Sequence, residues 1–187
     1  MDDASLFRYP PGYRTAPLAT ALDWSAWNVD ADPIADTLSL PGTGGDPAGG
    51  FAKAVEMCNN NGHCRKFDAG TMCPSYRVTR DEAHLTRGRA NTLRLALSGQ
   101  LGPDLASEPV RAALDLCVSC KGCRRECPTG VDMARMKIEF LHHWQHKHGL
   151  STKDRLIAYL PRWAPWAARM RWLANLRDTM PGAAWLS

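Results

Sequence analysis

Cys117-Val-Ser-Cys120-Lys-Gly-Cys123-Arg-Arg-Glu-Cys127-Pro128 is the stretch on which the rest of this chain turns. It has the form C-x2-C-x2-C-x3-C-P, the spacing with which bacterial ferredoxin-type modules hold iron–sulfur clusters. Two-residue gaps wrap the backbone round one corner of an iron–sulfur cube and aim three thiolates at three irons. The fourth cysteine is set off by three residues and followed by proline. It points away and ligates the other cluster of a pair. The run therefore calls for a second cysteine loop elsewhere.

That loop reads Cys58-Asn-Asn-Asn61-Gly-His-Cys64-Arg-Lys-Phe-Asp-Ala-Gly-Thr-Met-Cys73-Pro74. Laid on the same pattern, Cys58 takes the first position and Cys64 the third, and Cys73-Pro74 takes the fourth after an insertion. Asn61 stands where the second cysteine belongs. Crossed ligation then gives one cluster the complete set Cys73, Cys117, Cys120 and Cys123, expected as [4Fe–4S]. The other receives Cys58, Cys64 and Cys127. It could be [4Fe–4S] completed by Asn61 or by His63, since imidazole also ligates iron. It could be [3Fe–4S] with the corner vacant, or the loop could be empty and structural.

Structural zinc also uses C-x2-C pairs, but it needs four ligands from two separated pairs and has no use for interleaved triads ending in Cys-Pro. No C-x3-C-x2-C triad of the radical S-adenosylmethionine type occurs, and no catalytic base is identifiable beside the incomplete loop. His142 and His146 lie one helical turn apart without a third ligand. With His143 and His148 they read as a solvated helix C-terminus, where imidazole suits the dipole.

The 187 residues suffice for one domain with extra segments, and a hydrophobic content of 44% fits a globular protein. No apolar run approaches the ~18 residues of a membrane span. Seven cysteines, an odd number, behind an N-terminus without a secretion signal argue for metal ligation in a reducing compartment, so a cytoplasmic location is expected. The net charge of +4 is unevenly spread, because residues 1–50 carry seven Asp against Arg8 and Arg14. Thiolate clusters are anionic. Arg65, Lys66, Lys121, Arg124 and Arg125 beside the cysteines either lessen that charge and raise the potential or are ordinary solvated surface charges. Arg87, Asn91 and Arg94 share a helix face that holds an anionic cluster edge or a neighbouring domain, or else carries ordinary surface arginines. The basic residues form no block with interleaved aromatics, which argues against nucleic acid as a partner.

The expected fold is all-α. Residues 1–50, rich in Pro, Gly and Asp, read as an irregular extension, yet Leu22, Trp24, Trp27, Leu38 and Leu40 are too apolar for a free linker. Residues 51–148 form the helical dicluster domain. Within it a short helix precedes Cys58, and Thr79-Arg-Asp-Glu82 reads as a capping box for a helix ending at Gly99, with Ala90, Leu93, Leu97 and Leu101 on one stripe. Val110, Ala113, Leu114 and Cys117 share a face. Asp132 caps a helix burying Met133, Met136, Phe140, Leu141 and Trp144, which Gly149 ends. Residues 149–187 give a helix opened by Ser151 and running to about Pro161, then one opened by Pro165 with Trp166, Met170 and Leu173 inward. Trp163, Trp172 and Trp185 among Arg162, Arg169, Arg171 and Arg177 fit an apolar face packing on protein; peripheral contact with a membrane surface is the less favoured reading.

With these residues assembled, the chain resembles the iron–sulfur segment of bacterial FAD-linked oxidoreductases of the D-2-hydroxyglutarate and D-lactate dehydrogenase type. It is similar, more distantly, to the iron–sulfur subunit of glycolate oxidase. The matching stretches are Cys58 through Lys66, Gly70-Thr-Met-Cys73-Pro-Ser-Tyr76, Thr86-Arg-Gly-Arg-Ala-Asn91, and Cys117 through Pro128 with Val131-Asp-Met133. The resemblance implies an α-helical ferredoxin fold. It also implies electron transfer from a reduced FAD on a missing domain or subunit that would precede residues 1–50, to an acceptor the residues do not name. No dinucleotide fingerprint occurs here, so the chain alone is not expected to oxidise a hydroxyacid. The competing expectation is a structural metal module that docks domains without redox turnover.

Overall fold

The computed structural model describes residues 18–28, 49–67, 70–172 and 175. Among them all regular structure is helical and there is no strand. The helices are α1 (Gly50–Glu56), α2 (Pro74–Thr79), α3 (Thr86–Leu97), α4 (Glu108–Asp115), α5 (Gly122–Glu126), α6 (Met133–His148), α7 (Thr152–Ala158) and α8 (Leu160–Arg169). The chain divides into two compact units, residues 1–147 and 148–187.

In the first unit α3 is the hub, packed against α1, α4 and the short 3-10 turn Glu82–His84. Its expected stripe holds: Ala90, Leu93 and Leu97 are buried and Leu101 is half-buried. Phe51, Ala54 and Val55 of α1 and Val110, Ala113 and Leu114 of α4 close on the hub from helical spacing. Met133, Met136 and Phe140 of α6 are almost fully buried with Trp144 beside them, while Leu141 sits at the margin. Each such side chain contributes about 1.5–3 kcal/mol. Asp132 accepts from the Arg135 N–H at 3.1 Å, the expected cap of α6.

The start of α3 differs from its expectation. Asp81, not Thr79, acts as a cap, accepting from the Ala83 N–H of the 3-10 turn, and α3 begins only at Thr86. Glu82 does not fold back to Thr79, because its carboxylate is drawn forward to Arg87. The turn then lies so close on α3 that a Cβ on Gly88 would stand 2.0 Å from the Glu82 carbonyl oxygen. Only glycine fits there.

Within the N-terminal extension, residues 18–28 lie on this domain. Trp24 is buried, edge-on to Phe51 at 5.0 Å, with the Arg135 guanidinium 4.7 Å from its ring centroid. Glu139 of α6 is fully buried and accepts from the Ala21 N–H (2.7 Å), the Leu22 N–H (3.0 Å) and Trp24 Nε1 (2.9 Å). Leu38 and Leu40 lie outside the described residues.

In the second unit Ser151 caps α7, accepting from the Asp154 N–H at 3.1 Å. Helix α8 departs from expectation. It starts at Leu160 with Pro161 in its first turn, where no N–H is needed, and Pro165 falls inside it. Trp166 and Met170 are exposed rather than inward, as are Leu156, Ile157 and Trp163. Leu173, Arg177 and Trp185 lie outside the described side chains. No described helix is long and apolar enough to cross a membrane.

Candidate metal centre

The two cysteine loops share a backbone. After Cys58, residues Asn60 and Gly62 take positive φ (62° and 75°); after Cys117, residues Ser119 and Lys121 do the same (53° and 58°). Left-handed residues two and four places after the first cysteine turn the chain back on itself, as wrapping a compact anion requires. At three non-glycine positions this costs roughly 1 kcal/mol or more each, the kind of strain that persists where surrounding structure holds it. Asn61 and Cys120 occupy equivalent places, and both are exposed. The Asn61 carboxamide oxygen accepts from the His63 N–H at 2.8 Å.

Cys73, Cys117, Cys120 and Cys123 line one recess, with Thr86, Arg89 and Met133 also in its wall. The loop holding Cys73 reaches this place by contacts that do not involve sulfur. A Cβ on Gly122 would meet Thr71 Oγ1 at 3.0 Å and Met72 Cα at 3.3 Å, so the second loop seats directly on residues 71–72. Glu126 then clamps them, accepting from the Thr71 N–H (2.7 Å), the Thr71 hydroxyl (2.6 Å) and the Met72 N–H (2.9 Å). These bonds hold its carboxyl down at about 2. A carboxyl depressed in the folded state stabilises fully above its ordinary value near 4.5, and that contribution is lost as pH falls through about 2. Glu126→Ala should free the segment before Cys73: amide exchange at Thr71 and Met72 is expected to rise roughly tenfold with the exchange of α3 unchanged.

Burial dominates the thiols. It pushes Cys64 and Cys123 up to about 11 and raises Cys73. Each rise is opposed by an N–H donor at a helix start. Cys64 accepts from the Arg87 N–H, Cys73 from the Thr86 N–H (3.1 Å) and hydroxyl contact (3.0 Å), and Cys123 from the Met133 N–H. One helix terminus, that of α3, thus addresses two sulfurs of the first loop, Cys64 and Cys73. Neighbouring thiols reinforce the rise: Cys73 and Cys58 act on Cys64, and Cys73 and Cys117 on Cys123. Cys73 is therefore electrostatically close to sulfurs of both loops. Cys127 closes the second loop with its Sγ 3.2 Å from Thr129 Oγ1.

Among the described residues no three His, Cys, Asp or Glu side chains gather closely enough to hold a single ion. Four thiolates on one zinc at ~2.3 Å would stand only about 3.8 Å apart. A donor set of four soft thiols around one recess fits an iron–sulfur cube, in which every thiolate has its own iron.

Arg65, Lys66, Lys121, Arg124 and Arg125 are exposed, and Arg65 and Arg124 pair with Glu82 and Asp132. Arg87 is tied to Glu82. Arg94 is buried and bonds the carbonyls of Val55, Glu56 and Cys58, which fixes the entry to the first loop, and its Nη1 donates to Asn91. Lys137 holds the Cys117 carbonyl at 2.7 Å. His142 and His146 are exposed at the end of α6, whereas His143 turns inward to Glu139 at 3.2 Å. Arg89 and Glu126 carry no spacing signal of their own, although Arg89 falls within the matching stretch from Thr86 to Asn91. Glu139, a charge on the otherwise apolar stripe of α6, did offer one.

A helical domain with two such cysteine loops, the first lending Cys73 to the recess of the second, has the make-up of an iron–sulfur dicluster module, and residues 54–131 match the family model described as 4Fe-4S dicluster domain. Such a domain fits electron transfer. The chain is similar to the D-2-hydroxyglutarate dehydrogenase of Haemophilus influenzae, 28% identical over 151 residues that cover 63% of this chain and 15% of the relative. The enzyme of that name from Escherichia coli is 28% identical over 148 residues, covering 60% and 14%. The "Probable glycolate oxidase iron-sulfur subunit" of Bacillus subtilis is 30% identical over 107 residues, covering 56% and 23%. The chain thus spans less than a quarter of the length of each of these relatives. No solved structure matches it significantly.

Proposed function

We propose that this chain relays electrons singly from a reduced flavin, on a partner domain or subunit, through two iron–sulfur clusters to an acceptor. Cys73, Cys117, Cys120 and Cys123 would hold one [4Fe–4S] cluster. Cys58, Cys64 and Cys127 would hold the other, as [4Fe–4S] with Asn61 or as [3Fe–4S]. When bound, such clusters supply one-electron carriers whose potentials follow charge, hydrogen bonding and burial. The chain's own residues do the rest. The left-handed turns wrap each loop, Glu126 and Gly122 seat Cys73 against the second loop, and the α3 terminus donates to Cys64 and Cys73.

The observation that carries this reading is the shared recess, where a cysteine from the first loop meets three from the second. Occupancy of the first loop is supported by its copying the turns of the second. Because Asn61 and Cys120 are both exposed, the corner without a thiolate would be the solvent-facing one. The names of the relatives support a D-2-hydroxyacid dehydrogenase as the flavin partner.

Chain prepared without oxygen should carry about four irons and about four sulfides per complete cluster. Its visible absorbance should bleach on adding photoreduced flavin and return with an acceptor dye. Zinc without sulfide, or clusters inert to reduced flavin, would leave a structural docking module instead.

A further inference from the structure

Arg89 is 3% exposed, and no carboxylate lies within ion-pair distance of it among the described residues. Its Nε donates to the Ala113 carbonyl at 2.9 Å and its Nη2 to Ser75 Oγ at 2.8 Å, so both bonds go to neutral groups. A buried guanidinium without an anion is expensive, and the cost is offset either by many hydrogen bonds to neutral groups or by a counter-charge nearby. Arg94, the other buried arginine, spends donors on three backbone carbonyls. Arg89 instead lines the recess of Cys73, Cys117, Cys120 and Cys123, one turn along α3 from Thr86, which bonds Cys73. Asp132, whose charge reaches Cys123, is engaged by the exposed Arg124 at 3.4 Å.

We infer that Arg89 is the built-in counter-charge of the cluster held by Cys73, Cys117, Cys120 and Cys123, and that it raises the reduction potential of that cluster. The inference rests on the iron–sulfur reading above. Four thiolates round a cluster give it net negative charge, and each electron accepted adds one more negative unit. A fixed cation in a water-poor wall favours the reduced state over the oxidised one. Exposed arginines at the loop are screened by solvent and contribute far less. The same charge makes the empty site costly: stripped of iron, the recess leaves Arg89 without its anion.

The test uses the full chain, loaded with iron and sulfide without oxygen, as wild type, Arg89→Met and Arg89→Lys. Potentials are read by titration monitored by electron paramagnetic resonance. Arg89→Met, which keeps the bulk and removes the charge, should show a reduced-to-oxidised ratio at least roughly threefold lower at the wild-type midpoint, a shift of about 30 mV for one electron. Arg89→Lys should stay near wild type. After iron removal by chelator, Arg89→Met should unfold at the same or higher urea concentration than wild type. Full loading of Arg89→Met with an unchanged midpoint would overturn the inference, as would Arg89→Lys falling as far as Arg89→Met. If Arg89→Met does not load, Arg89→Lys decides: a wild-type midpoint upholds the counter-charge, and failure to load shows that the bonds to Ala113 and Ser75 are what matter. A wild-type chain without iron and sulfide would bring down the cluster assignment, and this inference with it.

Discussion

Cys73→Ala should abolish the same cluster as Cys120→Ala, although Cys73 belongs to the other loop. Both variants are expected to lose about four irons per chain, or to keep a three-iron form of that cluster, with the same paramagnetic signal missing. Cys127→Ala should spare that signal and remove the other. The expectation follows from placement. Cys73 is 4% exposed, lies in one recess with Cys117, Cys120 and Cys123, and is held there by the Glu126 clamp and by the close seat of Gly122. Ligation within each loop would pair the variants differently, with Cys73→Ala resembling Cys58→Ala. Iron content and resonance spectra of the four variants distinguish the two schemes.

Glu139→Ala should have the largest effect on stability away from the cysteines. The side chain is fully buried and accepts from two backbone N–H groups and the Trp24 indole, with His143 at 3.2 Å. Burial alone would raise its carboxyl, but the Trp24, Ala21, Leu22 and His143 contacts outweigh it and the net shift is downward. The carboxylate is thus the form that fits. Removing it orphans donors and opens a cavity, a loss of about 3 kcal/mol or more. Urea unfolding should show it, and limited proteolysis should cut within residues 18–28 first. With the carboxyl depressed in the fold, the stabilisation is complete above the usual value near 4.5 and declines as pH falls through the lowered one. Glu139→Gln, which keeps two acceptor lone pairs but loses the charge, should fall between.

What could be read from the residues was local. The second loop is a covalent spacing, and the first is the same spacing with one substitution, so both were visible without a fold. Helical stripes such as Ala90, Leu93 and Leu97 were visible for the same reason. Trp24 was evidently too apolar to be free, but its partners Phe51, Arg135 and Glu139 are far along the chain, and only packing brings them together. The capping box at Thr79 misled because Glu82 has two uses, and an arginine five residues on competes better for it than a backbone N–H behind it. Charge was the least legible feature. The conspicuous cations beside the cysteines lie in solvent or in ion pairs, while Arg89, in a stretch away from both cysteine loops, is buried in the wall of the recess.

The central claim is that one sulfur of the first loop and three of the second surround the same four-iron cluster. Diffraction at the iron edge from crystals of the chain grown without oxygen tests it directly. The account predicts an anomalous peak of about four irons bounded by Cys73, Cys117, Cys120 and Cys123. A single-metal peak, or iron at the second loop with Cys73 ligating elsewhere, would contradict it.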